Sequence, residues 1–115
     1  MAISPDGKTM YVPSFEGTNW YVVDAKTGDL IKNLSVPASN GAHNTIWSLD
    51  GTKVFMAGLR SNTMSVADRA TNSIVQTVGP FANSVRPFTV NCASNGADPG
   101  CVLQLQHARE WNIDL

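Results

Sequence analysis

At 115 residues, with a formal net charge of −1 and only 15% charged residues, the chain suits one ordinary domain and carries no basic excess with which to hold nucleic acid. No apolar run reaches the roughly 18 to 20 residues that a membrane-spanning helix needs, and Met1-Ala2-Ile3 carries no signal-peptide pattern, which leaves the compartment open. Serine, threonine, asparagine and glycine supply the polarity instead, the balance of an all-β chain of short strands and turns.

In chain order, Met1-Ala2-Ile3 reads as the tail of a strand. Pro5-Asp6-Gly7 follows as a turn, because proline presets φ, aspartate accepts from nearby amides and glycine takes a left-handed φ. Thr9 to Ser14 reads as a strand, the segment Phe15 to Asn19 as a loop, and Trp20 to Asp24 as a strand apolar on both sides and therefore expected to be buried on both faces. Asp24-Ala25-Lys26-Thr27-Gly28 makes a second turn, and Leu30 to Val36 makes an outer strand.

The same order then returns. Displacing the chain by 44 positions (48 − 4 = 44) lays Ser4-Pro5-Asp6-Gly7 on Ser48-Leu49-Asp50-Gly51, Tyr11-Val12 on Phe55-Met56, Val22-Val23-Asp24 on Val66-Ala67-Asp68, and Leu30-Ile31 on Ile74-Val75. A period of 40 to 50 residues marks a propeller blade or another stacked repeat. The second unit opens with an inner strand at His43 to Ser48 and closes at Ser73 to Val78. A weaker third unit places Thr89-Val90-Asn91 on Thr45-Ile46-Trp47, continues with Val102 to Gln106 and ends in Trp111-Asn112-Ile113-Asp114. The expected organisation is an incomplete first blade at 1–36, a complete second at 43–78 and an incomplete third at 87–115, with three, four and three strands.

Ser-Pro-Asp-Gly-Lys-Thr-Met-Tyr-Val at Ser4 to Val12, followed by Val-Val-Asp-Ala-Lys-Thr-Gly at Val22 to Gly28, resembles the YVTN-type β-propeller repeat. The resemblance implies an all-β, commonly seven-bladed propeller of bacterial or archaeal origin, often periplasmic, secreted or on the cell surface. Two and a half blades cannot close a ring, so the chain is expected to be a fragment whose partners include the missing blades. The second copy departs from the pattern at Phe55-Met56, and the third keeps little of it after Cys92.

In such propellers, ligands meet the loops at one end of the blades, which singles out His43 and Asn44, Arg86 at the corresponding start of the third blade, and Phe15, Arg60 and His107 in the other loops. His43 leads this group. The recurrence of Asp24, Asp68 and Asp114 at one position, like that of Asp6 and Asp50, argues for turn-building, since a residue required in every blade serves the blade. His107 and Glu110 stand three apart where the repeat expects loop and strand, which does not converge on a metal. No nucleophile elbow, zinc-protease, phosphate-loop or dinucleotide motif occurs. Cys92 and Cys101 flank the loop from Ala93 to Gly100, and in an oxidising compartment a disulfide across it would stabilise by roughly 2.5 to 3 kcal/mol. The sequence implies no cofactor and no metal. It favours a binding scaffold for a protein, surface or small molecule; the alternatives are a piece of a lactonase-like or oxidoreductase-associated enzyme propeller and a free-standing β-sandwich.

Overall fold

The computed structural model describes residues 2–15, 17–91, 102–107 and 113–114, with side chains from 2 to 85 except at residue 16. Its first sheet contains β1 (Ala2–Ile3), β2 (Thr9–Pro13), β3 (Asn19–Asp24) and β4 (Leu30–Ser35), hydrogen-bonded in that order. The second contains β5 (Ala42–Trp47), β6 (Lys53–Gly58), β7 (Met64–Asp68) and β8 (Ser73–Val78), again in chain order. A third holds β9 (Val85–Asn91), β10 (Val102–His107) and β11 (Ile113–Asp114). Every pairing is antiparallel and the fold is all-β; among the described residues the one helical element is a 3₁₀ turn at Pro37–Ser39 between the first two sheets. Among the described residues no helix is long and apolar enough to cross a membrane.

The turns follow from local chemistry repeated 44 residues apart. The Ser4 hydroxyl donates to Asp6 Oδ1 (2.6 Å), which also accepts from the Lys8 amide (3.0 Å), while Ser4 Oγ accepts from the Thr9 amide (3.0 Å). Ser48 and Asp50 repeat this with the amides of Thr52 and Lys53, each at 3.0 Å. At the second turn the chain needs a left-handed residue, and the two copies solve it with Gly28 at φ 80° and Asn72 at φ 49°, the residue types that adopt it with least strain.

Side chains alternate across each strand, and this alternation builds two cores. Tyr11, Trp20, Val22 and Leu34 from the first sheet meet Trp47, Val54, Met56 and Ala67 from the second, all buried. On the other side of the second sheet, Met64 and Val66 pack with Val85 at the start of β9, together with Ile46, Phe55, Val78 and Phe81. Within β7, Met64, Ser65, Val66 and Ala67 are consequently all buried. In β3 the expected burial on both faces fails. Trp20 and Val22 are buried, but Tyr21 is 37% exposed, because no described sheet lies against its side.

Trp20 joins the two sheets by shape and by a hydrogen bond from Nε1 to Thr45 Oγ1 (2.7 Å). Trp20→Ala should therefore cost about 3 to 5 kcal/mol, the range for removing a buried tryptophan side chain. Urea unfolding should show this as a lower midpoint with an unchanged slope; a shift worth less than about 1 kcal/mol would mean that the first two sheets do not share a core.

Candidate functional site

Because all strands in each sheet are consecutive and antiparallel, their connections fall at two ends. At one end, the turn end, lie the turns β1–β2, β3–β4, β5–β6 and β7–β8. The other, the loop end, carries β2–β3, the β4–β5 link with its 3₁₀ turn, β6–β7 and β8–β9.

A cavity of about 330 Å³ opens at the turn end, lined by Asp50, Gly51, Thr52, Asp68, Arg69 and Ala70. Its charged groups already serve the fold. Arg69 makes a two-point contact with Asp6 (Nη1 to Oδ2 2.9 Å, Nη2 to Oδ1 3.1 Å), donates to Thr9 Oγ1 (3.2 Å) and lies 5.5 Å from the centre of the Trp47 ring. Asp68 pairs with Lys53 at 3.2 Å. The Arg69 guanidinium, then the Ser4 hydroxyl and the Lys8 amide, hold the Asp6 carboxyl far below the usual carboxylate range. Asp50 is lowered by the Thr52 amide and the Ser48 hydroxyl, and Asp24 by the amides of Lys26 and Thr27. Beneath Arg69, burial first and the Asp68 charge second push the Tyr11 phenol up to about 12, and its hydroxyl donates to Asn72 Oδ1 at 2.8 Å. This end is a clamp between sheets.

At the loop end, backbone hydrogen bonds join the connections in series. The amides of Gly41 and Ala42 both donate to Gly17 O at 2.9 Å, tying the β4–β5 link to β2–β3. Leu59 N donates to Gly41 O (2.9 Å) and Arg60 N to Asn40 O (3.1 Å), tying β6–β7 to the same link. The Asn62 carbonyl accepts from Phe81 N (2.8 Å), while Asn62 Nδ2 donates to Phe81 O (2.9 Å), which brings in β8–β9. Below them the buried Ser39 hydroxyl sits 2.8 Å from Ser65 Oγ, and Ser61 Oγ and Thr63 Oγ1 both donate to Ala38 O. Gly58 permits this closeness: a Cβ there would overlap the carbonyl oxygens of Ser39 and Asn40.

The sequence-selected residues lie on this end, on separate segments. Phe15 is 93% exposed in the β2–β3 loop. His43 is the second residue of β5, with Nδ1 2.7 Å from Asn44 Oδ1. Arg60 is exposed in β6–β7, with Nη2 3.4 Å from Asn40 Oδ1. In the third sheet Arg86 lies opposite Gln106, and His107 opposite Val85. The possible Cys92–Cys101 disulfide lies outside the described residues, as does Glu110. Among the described residues no group of three or more His, Cys, Asp or Glu could hold a metal ion.

No family model and no curated protein matches the chain. Among solved structures it is similar to Kuenenia stuttgartiensis hydrazine synthase, with a TM-score of 0.65 and 20% identity over 98% of this chain. The likeness is one of fold, and the chain spans about a third (33%) of the hydrazine synthase chain it matches.

Sequence reasoning missed Arg69 and Ser39. Arg69 stands where the first unit has Ala25, so a charge that appears in only one copy was the available signal. Ser39 lies in a link with no counterpart in the first unit, and nothing in the sequence marks it.

Two outcomes are expected. Gly58→Ala should destabilise by at least about 1 to 3 kcal/mol, since the Cβ can be accommodated only by moving the link; a thermal melt unchanged from wild type would contradict the close approach. The second concerns acid. Asp6 binds its proton more weakly folded than unfolded, so its contribution is complete above the ordinary carboxylate range of about 4 and is lost as the pH falls below it. The difference in urea midpoint between wild type and Asp6→Asn should be largest near pH 7 and shrink below pH 4. A pH-independent difference would remove the Asp6–Arg69 pair from the account.

Proposed function

We propose that this chain is part of a YVTN-type β-propeller and that its loop end is a protein-binding platform. Two features support the propeller reading: the 44-residue period, and two four-stranded meanders stacked in chain order through a shared core. The binding reading rests on one observation. Four connections are locked together by main-chain hydrogen bonds, while exposed Phe15, His43 and Arg60 project from that fixed backbone. Aromatic and arginine side chains on a preorganised surface are the usual anchors of protein interfaces, because little ordering entropy is lost when they engage.

Quantitative capture from source-cell extract tests this reading, with Lys26→Ala at the turn end as the control. At least one protein held by the wild type should fall about tenfold or more with Phe15→Ala combined with Arg60→Ala, and remain with Lys26→Ala. Equal capture by all three proteins, with all folded, would refute the platform.

A further inference from the structure

The peptide unit between Asn40 and Gly41 is held at both edges. Its carbonyl, Asn40 O, accepts from the Arg60 amide at 3.1 Å, and its N–H, on Gly41, donates to Gly17 O at 2.9 Å. A peptide group turns as one plane, so rotation about the Asn40 Cα–C bond breaks both bonds together. The plane also sits within the series that joins the loops, since Ala42 N donates to Gly17 O and Leu59 N to Gly41 O, each at 2.9 Å.

Glycine is required at this point. Gly41 is buried with φ 85°, and a Cβ on it would stand 2.9 Å from Leu59 N and 3.0 Å from Arg60 N. That requirement sets, next to an asparagine, the residue whose amide nitrogen no side chain shields. Asparagine is a chemically labile residue, and most so before glycine. The Gly41 nitrogen, giving up its proton, attacks Asn40 Cγ; the Cγ–Nδ2 bond breaks, ammonia leaves with that proton, and a succinimide ring remains. Water then opens the ring. Attack at Cγ yields aspartate, whereas attack at the main-chain carbonyl yields isoaspartate, whose chain runs on through Cβ and Cγ.

Ring closure needs the Gly41 nitrogen to swing into line with Cβ and Cγ of Asn40. At the observed ψ of 142° it stands well out of that line, and reaching it means turning the plane that Arg60 and Gly17 hold. The side chain is engaged as well, with Oδ1 3.4 Å from Arg60 Nη2. The fold thus demands a labile pair and shields it while the loops stay joined.

We infer that Asn40 is a covalent modification site, deamidated through a succinimide with Gly41 when the loop end opens and protected while the peptide plane is pinned. The two products have different consequences. Aspartate leaves the main chain intact, with its carboxylate beside Arg60, and the loops rejoin. Isoaspartate lengthens the main chain by a carbon and separates the carbonyl from the N–H that shared the pinned plane, so the original bonds cannot all re-form. An opening of the loop end is therefore recorded irreversibly. The inference does not depend on the propeller reading or on any partner.

The folded protein and a synthetic peptide spanning Val36 to Trp47 are incubated in parallel at mildly alkaline pH. Peptide mapping counts the products at position 40 and keeps them apart from those of the second Asn–Gly pair, Asn95–Gly96. The folded protein should react about tenfold or more slowly than the peptide. Gly58→Ala, whose Cβ displaces the Ser39 and Asn40 carbonyls, should raise the folded rate about threefold or more, while Asp6→Asn at the turn end should change it no more than about twofold. If Gly58→Ala does not fold, Ser61→Ala removes a hydroxyl tie to Ala38 O and loosens the link more gently. Equal rates in peptide and folded protein, or equal acceleration by the loop-end and turn-end variants, would overturn the inference. The isoaspartyl form, made by ageing in urea and returned to buffer, should exchange the amide hydrogens of Ala42, Leu59 and Arg60 about tenfold or more faster than Asn40→Asp does. Equal exchange in the two would overturn the irreversible record.

Discussion

The contact between Trp47 and Tyr11 is the constraint on which the first two sheets depend. Their rings meet edge to face, with centres 5.4 Å apart and planes at 84°, an arrangement that sets the electropositive rim of one against the electron-rich face of the other. Trp47 Nε1 also donates to Ala2 O at 3.1 Å, so the same side chain secures the short first strand. Arg69 lies over the indole and reaches Asp6, and Tyr11 reaches Asn72. Lys32 Nζ donates to Asn72 O at 2.8 Å and adds a tie from the outer strand. Sheets that would otherwise slide over a non-directional apolar interface are thereby held in one register.

Those polar ties differ in value. Asp6 and Arg69 are partly exposed, and an isolated pair of that kind contributes little in water. Here the pair is two-pronged and stacked on an aromatic ring, which fixes its geometry. The larger share of stability comes from the buried aromatic and aliphatic surface around Tyr11, Trp20 and Trp47. The clamp specifies orientation and the core supplies cohesion.

Much of the fold was legible because its determinants are local. Ser-x-Asp-Gly turns and period-2 alternation act over a few residues, so the 44-residue copy could be matched position by position, down to Gly28 against Asn72. What required the structure was long-range. The burial of Tyr21 depends on a neighbouring sheet that its own strand does not encode, and the partnership of Arg69 with Asp6 spans 63 residues. The candidate site was legible in a limited sense. Residue type and place in the repeat put Phe15, His43 and Arg60 at one end, but the main-chain bonds linking their loops depend on close approaches at Gly41 and Gly58 that single-residue preferences do not reveal.

Most of the bonds that unite the loop end run from amide to carbonyl, with side chains adding ties at Asn62, at Arg60 to Asn40, between Ser39 and Ser65, and at the hydroxyls that hold Ala38. Shape and chemistry are therefore encoded by different atoms of the same surface. Exchanging Phe15 or His43 changes the chemistry of this surface without removing any of the main-chain bonds that fasten one loop to the next. Such a surface can diversify by single substitutions, each sampled on an unchanged frame, whereas an insertion near Gly41 or Gly58 would break the frame at once.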